Sequence, residues 1–223
     1  MTAQEPSIND LSPLTRAEVE PMLLLDTSGS MDWPAAEGSP VKRRQVIGEA
    51  ITLLVGHLAG KDSQAAAEHA AGADEVEIGG VMTVGFADGP TEYDDLNPAN
   101  VSAKWAGIRW GGQTHIVPGW HKLVDIYTEE FGDRPKQDRP HLLALIITDG
   151  EAQDGAEFAK ILAQQSAGTY VVVAVVGFGA DHDRTMEQYK AIEASNSHVR
   201  VVTFGSSTDP KEISSALLSL IGE

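Results

Sequence analysis

The sequence predicts one α/β domain whose doubly wound, mainly parallel sheet is flanked by helices on both faces. Three observations support this fold class. Continuous apolar runs such as 142–147 have the length expected of strands that are covered on both faces. Segments with apolar residues at helical spacing separate these runs. Strands that alternate with helices are joined by right-handed crossovers, which place the strands side by side in parallel.

Six strands are predicted from short apolar or β-branched runs bounded by turn-forming residues. They cover residues 22–26, 81–86, 91–94, 142–148, 170–176 and 199–204. We expect segment 91–94 to pair beside the second strand as a short antiparallel edge strand.

Six helices are predicted from apolar residues at a spacing of three to four. They cover residues 41–58, 97–106, 116–131, 156–167, 184–195 and 210–221. Helix 116–131 has a clear apolar face that includes Val117, Trp120 and Leu123, and core packing is predicted for Trp120. Pro118 is acceptable there because it lies in the first turn.

Two stretches go beyond this alternation. The first predicted helix begins with Lys42, Arg43 and Arg44, which is unfavourable at the positive end of a helix dipole. We interpret these cations either as facing an acidic partner or as solvated. The Ala- and Glu-rich stretch 60–80 favours helix over 65–71 and is expected to be a surface extension.

Composition indicates a soluble domain with an acidic surface. The 223 residues include 16 Lys and Arg against 33 Asp and Glu, and the net charge of -17 disfavours nucleic acid and anionic membranes as partners. The absence of Cys excludes disulfides and Cys-ligated zinc. Residues 1–19 are expected to form an N-terminal extension and residues 20–223 the domain. With no secretory signal pattern and no apolar run long enough for a bilayer, we expect a cytoplasmic protein.

The polar residues that follow the first strand form the most informative motif. Asp26, Ser28 and Ser30 place a carboxylate and two hydroxyls directly after an apolar run. Open α/β sheets bind ligands outside the carboxyl ends of their strands. Carboxylate and hydroxyl oxygens suit Mg²⁺, Mn²⁺ or Ca²⁺ rather than zinc. Ser and Asp are also common in turns and helix caps, so this segment alone leaves a simple turn open.

Two distant segments add oxygen ligands. Asp149 follows the apolar run 142–148, and Thr114 follows Gly111 and Gly112 at the start of a predicted helix. Each has an ordinary alternative, since Asp149 fits an Asp-Gly turn and Thr114 fits a helix N-cap. Taken together, the three loops offer two carboxylates and three hydroxyls at one edge of the sheet.

This order of motifs resembles the von Willebrand factor type A (VWA) domain and its metal-ion-dependent adhesion site (MIDAS). The resemblance covers roughly residues 20–221, with Gln113 standing between the Gly-Gly pair and Thr114. The matching residues are Asp26, Ser28, Ser30, Thr114 and Asp149. The strand-to-turn pattern Leu-Leu-Leu-Asp-Thr-Ser-Gly-Ser-Met, followed by Thr-Asp-Gly-Glu, is similar to small bacterial VWA proteins associated with tellurium resistance and stress.

The resemblance implies a binding module for adhesion or scaffolding, and no enzyme. Ser28, Ser30 and Thr114 would ligate Mg²⁺, or else Mn²⁺ or Ca²⁺, through their hydroxyls. Asp26 and Asp149 would act mainly through bound waters or through hydrogen bonds to the serines. An Asp or Glu carboxylate of a protein partner would fill the open coordination position.

Residues adjacent to the motifs are expected to rim this open position. The expected rim residues are Trp33, Glu37, His115 and Glu151. Trp33 is interpreted either as a recognition aromatic or as a lid on its own loop, and Trp105 and Trp110 carry the same two interpretations.

Two other functions stay open. Asp26 ends the first strand, where an aspartyl-phosphate phosphohydrolase has its nucleophile. Ser28 stands where the partner acid of such an enzyme is expected, however, and no lysine follows Asp149 closely. The other alternative is a structural component of a larger assembly, in which the metal only holds loops together.

Overall fold

The computed structural model describes residues 19–69, 80–166, 168–177, 180–205 and 209–221. The predicted N-terminal extension lies outside the described residues except for Val19, and so do residues 70–79 of the predicted surface extension.

Six strands form a single sheet in the order β3-β2-β1-β4-β5-β6. They are β1 (Val19–Asp26), β2 (Val81–Phe86), β3 (Pro90–Leu96), β4 (His141–Thr148), β5 (Thr169–Val176) and β6 (Val199–Gly205). Every neighbouring pair is parallel except β2 and β3, which are antiparallel. The predicted doubly wound fold with one antiparallel edge strand is therefore confirmed.

The described residues include six helices. They are α1 (Arg43–His69), α2 (Val101–Gly107), α3 (Ile116–Phe131), α4 (Gly155–Ala163), α5 (Ala180–Glu193) and α6 (Pro210–Ile221). None of these helices is both long and apolar enough to cross a lipid bilayer.

The ends of several helices differ from the predicted ones. α2 begins at Val101, four residues later than expected, because the Asn97 side chain accepts hydrogen bonds from Ala99 N and Asn100 N in a preceding turn. α4 ends at Ala163 because the Asn196 side chain donates to carbonyls at its end, among them that of Leu162. α1 runs on to His69 and α5 begins already at Ala180.

Each face of the sheet has its own apolar layer. On one face, β-strand residues such as Leu25 pack with α1 and α6, represented by Ile47 and Leu217. On the other face, Leu24 and its neighbours pack with α3, α4 and α5. Trp120 belongs to this second layer, where it is 5% exposed, so the core position predicted for it is confirmed.

The strand order fixes where a ligand site can lie. β1 and β4 are adjacent in the middle of the sheet, and the connections from them lead to opposite edges. Leu25 of β1 is in register with Ile147 of β4, so the two strands end at the same level. This point of reversal is where open α/β sheets form a crevice beyond the carboxyl ends of their strands.

Candidate metal centre

Three loops meet at the carboxyl ends of β1 and β4, and backbone hydrogen bonds join them. Gly111 N donates to Thr27 O at 2.9 Å, which ties the second loop to the first. Gln153 N donates to Thr114 O at 2.9 Å, which ties the third loop to the second. The segments that carry the predicted oxygen ligands therefore form one connected structure.

Asp26, the last residue of β1, lies buried beneath the three loops. Its side chain is fully buried, and its Oδ1 accepts a hydrogen bond from Ser28 N at 2.9 Å. Its Oδ2 accepts one from Thr148 Oγ1 at 2.8 Å, so both oxygens are held. Burial, and secondly the negative charge of Asp149, raise the pKa of Asp26 to about 7. Asp26 is placed to orient the loops around it rather than to meet a ligand from solution.

The two serine hydroxyls converge directly above the end of β1. A short 3-10 turn, Gly29–Asp32, brings Ser28 Oγ and Ser30 Oγ to 3.1 Å from each other. Two adjacent ligands of an octahedral Mg²⁺ at its usual bond length lie roughly 2.9 Å apart. The two hydroxyls are hydrogen-bonded to each other, and their spacing is also compatible with neighbouring ligands of a small, hard divalent cation.

The second loop is shaped by glycines. Gly111 and Gly112 have φ angles of 153° and 83°, which residues other than glycine rarely adopt. Gln113 N donates a hydrogen bond to Asp88 Oδ1 at 2.8 Å. Thr114 follows as a buried residue, 7% exposed.

The helix-cap alternative for Thr114 is wrong. The residue before α3 is His115, whose side chain makes no capping bond. Asp154 takes that role from the third loop, since its two carboxylate oxygens accept from Ile116 N at 2.9 Å and Val117 N at 3.0 Å. The Thr114 hydroxyl is thus not engaged in capping its own helix.

Asp149 lies on the other side of the centre and is paired with an arginine. It is 2% exposed, and its Oδ2 accepts a hydrogen bond from Arg43 Nη1 at 2.8 Å. Arg43 is only 5% exposed, so the interpretation of this residue as solvated is wrong, and the acid that it faces is Asp149 of its own chain. A buried carboxylate needs an opposite charge nearby, and the start of α1 supplies one.

The neighbours of Arg43 remain near the surface. Lys42 Nζ lies 3.1 Å from Asp32 Oδ2, and Arg44 also pairs with Asp32. These two cations are thus matched by an acid of their own chain.

A cleft of about 470 Å³ opens above the hydroxyls. Residues around it include Ser30, Gln113, Thr114, Glu151, Arg184 and Thr185. Ser30, Thr114 and Glu151 were predicted as site residues, whereas Arg184 and Thr185 were not. These two belong to α5, where no sequence motif marks them, and only the course of the chain after β5 brings them here.

The other predicted rim residues, Trp33, Glu37 and His115, are not among the described residues that line this cleft. Trp33 is 52% exposed, and the guanidinium carbon of Arg43 lies 5.6 Å from its ring centroid. Glu37 is exposed. His115 Nε2 lies 3.3 Å from Gln113 Oε1, next to the Thr114 loop.

Trp105 and Trp110 belong to a different surface. Their ring centroids are 5.3 Å apart, and both line a groove of about 1000 Å³ that α1, α2 and the start of α6 form.

No three His, Cys, Asp or Glu side chains of the described residues cluster as metal ligands. A cation at this centre would therefore depend on the hydroxyl oxygens together with the two aspartates.

Comparison with known proteins gives similar structures but no similar sequences. No protein-family profile matches the chain, and no curated protein matches its sequence. A minor pilin, PilB, from Streptococcus sanguinis is similar over 92% of this chain and 61% of its own, with 11% identity and a TM-score of 0.60. A von Willebrand factor type A protein from Catenulispora acidiphila is similar over 89% of this chain and 40% of its own, with 15% identity and a TM-score of 0.52.

A third similar structure is proximal thread matrix protein 1 from the mussel byssus, solved with a zinc-occupied MIDAS motif. It matches 92% of this chain and 46% of its own, with 16% identity and a TM-score of 0.53. This chain spans less than two thirds of each of the three. Since several of the similar structures are VWA domains, the chain has the fold of a VWA domain.

Proposed function

We propose that this protein is a divalent-cation-dependent protein-binding module, used in adhesion or scaffolding. A bound Mg²⁺ would hold an acidic side chain of the partner. The observation that carries the proposal is the placement of Ser28, Ser30 and Thr114 in joined loops beneath an open cleft, with two serine oxygens 3.1 Å apart.

The residues of the centre divide into two roles. Ser28, Ser30 and Thr114 would hold the cation through neutral hydroxyls, and Asp26 and Asp149 would balance its charge from buried positions. When bound, a cation held largely by neutral ligands stays electrophilic and attracts an external carboxylate. The cleft leaves room for that carboxylate to approach.

The identity of the cation is part of the proposal. The donors are hard oxygens, which favour Mg²⁺, Mn²⁺ or Ca²⁺. The zinc-occupied MIDAS of the mussel byssus protein is a reason to include Zn²⁺ in any binding assay.

An arginine in the lining of the cleft supports an acidic partner. Arg184, on α5, lines the cleft, and so does Glu151. An arginine pairs with a carboxylate in a planar, two-pronged geometry. We propose that Arg184 contacts a second acidic group of the partner, next to the one that the cation holds.

Asp26 is badly placed for hydrolysis. A carboxylate nucleophile must reach the substrate, but this side chain is fully buried and both of its oxygens accept hydrogen bonds. This geometry supports binding without turnover, in preference to a phosphohydrolase.

The cellular setting is proposed from sequence features alone. The motif style supports a role in stress or tellurium resistance, and the composition supports a cytoplasmic protein that binds neither nucleic acid nor membranes.

Calorimetric titration with Mg²⁺, Mn²⁺, Ca²⁺ and Zn²⁺ tests the metal centre. We expect about one ion per chain, because the three joined loops of the described structure form one cluster of hard oxygens. Ser30→Ala and Asp26→Ala should weaken binding at least about tenfold while the circular dichroism spectrum stays that of a folded protein. Ser102→Ala, an exposed serine of α2, is the matched control and should bind like the wild type.

A pull-down from the native host then tests partner binding. Captured protein should be lost in EDTA and with Ser30→Ala, but kept with Ser102→Ala. Equal metal affinity in the wild type and both site variants would refute the centre. Capture that survives EDTA, with metal binding intact, would favour a purely structural metal.

A further inference from the structure

The MIDAS-like motif does not account for Arg43, the buried cation beside the candidate metal centre. The Arg43 and Asp149 side chains are 5% and 0% exposed, and Arg43 Nη1 lies 2.8 Å from Asp149 Oδ2. Arg43 Nε is also buried, and no hydrogen-bond acceptor for it is found among the described residues. Its charge is therefore balanced mainly by a carboxylate of the centre.

The fold makes room for this guanidinium. Gly177, directly after β5, has a φ of 120°, and a Cβ on it would come within 2.9 Å of Arg43 Cζ. The Trp33 ring covers the guanidinium from the first loop, with its centroid 5.6 Å from Cζ. A buried ion pair is costly to desolvate. Removing one partner strongly destabilises the folded protein, because the other charge stays buried without compensation. Arg43 is therefore an integral, buried residue of the centre and not a surface charge at the start of a helix.

We propose that Arg43 is an internal counter-ion that keeps the metal-free centre folded and limits how tightly a divalent cation binds. It neutralises Asp149 when no metal is present. When a cation enters, the positive charge of Arg43 repels it. The inference rests on the proposed metal centre and adds to it how its affinity is set.

The charges make the direction of the effect clear. When both carboxylates are ionised they carry two negative charges, and Arg43 reduces the total to one. Without Arg43, a divalent cation would meet a more negative site and bind more tightly. The metal-free protein would in turn contain an unpaired buried carboxylate, so its folding would depend on metal.

Arg43→Gln tests both halves of the inference, with Arg44→Gln as the matched control. Arg44 is the next residue and pairs with the partly exposed Asp32. We expect Arg43→Gln to lower the calorimetric Kd for Mg²⁺ or Mn²⁺ by about tenfold or more. Its urea midpoint in EDTA should fall below that of the wild type, and saturating Mg²⁺ should raise that midpoint by more than it does in the wild type. Arg44→Gln should match the wild type in both measurements.

The possible failures are distinguishable. If the wild type binds no divalent cation, the proposed metal centre is wrong and this inference is wrong with it. If the wild type binds and Arg43→Gln binds with the same or lower affinity, the metal centre stands and the counter-ion role is overturned.

A measurement on the wild-type chain decides the question if Arg43→Gln does not fold. The side-chain N–H signals of arginines can be followed by isotope-edited NMR during a Mg²⁺ titration. We expect the Arg43 Nε signal and the Trp33 indole signal to move with the calorimetric saturation curve, while the Arg44 signal stays in place. An Arg43 signal that does not move at saturation would overturn the inference.

Discussion

Asp26 shows how one buried residue connects folding to ligand chemistry. Its carboxylate holds the first loop through Ser28 N and the third loop through Thr148 Oγ1. Thr148 Oγ1 in turn accepts a hydrogen bond from Gly150 N, which fixes the turn after β4. The same burial that makes these bonds firm also disfavours the ionised form of the carboxylate.

The pKa of Asp26 predicts a pH dependence of the metal-free protein. It rises from an ordinary 3.8 to about 7 in the folded state, first because of burial and then because of Asp149. The protonated form therefore stabilises the fold fully below about pH 4, and this contribution is lost as the pH rises through about 7. Urea denaturation in EDTA at a series of pH values should show the decline in the free energy of unfolding. Asp26→Asn, which stays neutral, should flatten it, and identical slopes in the two proteins would contradict the prediction.

Trp33 leads to a second prediction at the residue scale. It is half exposed near the proposed metal centre and has no oxygen to offer a cation. Trp33→Ala should weaken partner binding by about 1–3 kcal/mol if the ring is an interface anchor, with metal affinity nearly unchanged. The measurement is titration of the captured partner, with Leu53→Ala, another exposed apolar residue, as control. Lower thermal stability without the partner, combined with unchanged partner affinity, would instead identify Trp33 as a structural lid.

At the scale of elements, the beginning of α3 depends on the third loop. Its first two N–H groups donate to Asp154, which comes from the loop after β4. Helices leave their first N–H groups without partners inside the helix, so such a cap positions the whole element. Thr114 lies just before this point, and the cap therefore also positions a proposed metal ligand.

Removing this cap should affect stability and metal binding together. We expect Asp154→Ala to lower the free energy of unfolding by roughly 0.5–2 kcal/mol, the range for loss of a helix cap. Metal affinity should also fall, because the Thr114 loop loses an anchor. Glu157→Ala removes an exposed acid in the first turn of α4 and is the control for charge alone. The measurements are urea denaturation and calorimetry, and equal results for Asp154→Ala and Glu157→Ala would contradict the capping role.

The ends of a helix can be predicted from the sequence when the residues that determine them lie nearby in the chain. α3 and α6 have the predicted bounds, because apolar periodicity and an early proline mark them locally. α4 ends earlier than predicted, since its last carbonyls accept hydrogen bonds from Asn196, which lies far along the chain. The part played by Arg43 was missed for the same reason: Asp149 and Gly177, which define its surroundings, lie on other loops.

At the scale of the whole molecule, the strand order assembles the centre. Placing β1 next to β4 brings Asp26 and Asp149 to the same edge, which the chain order of the motifs was sufficient to predict. Arg184 reaches the cleft only through the course of α5, and no pattern near it in sequence shows this. The sequence therefore predicts the oxygen-bearing loops better than the cations that surround them.

The overall charge should also influence cation capture. With a net charge of -17, the chain produces a negative field that concentrates divalent cations at low ionic strength. Raising KCl from about 10 mM to about 150 mM shortens the screening length from roughly 30 Å to 8 Å, so charges distant from the centre cease to contribute. We expect calorimetry to show Mg²⁺ affinity falling several-fold over this range, while Ser30→Ala remains weaker than the wild type at both salt concentrations. An affinity that does not change with KCl would mean that the local ligands alone set it, and that the acidic surface of this protein serves solubility only.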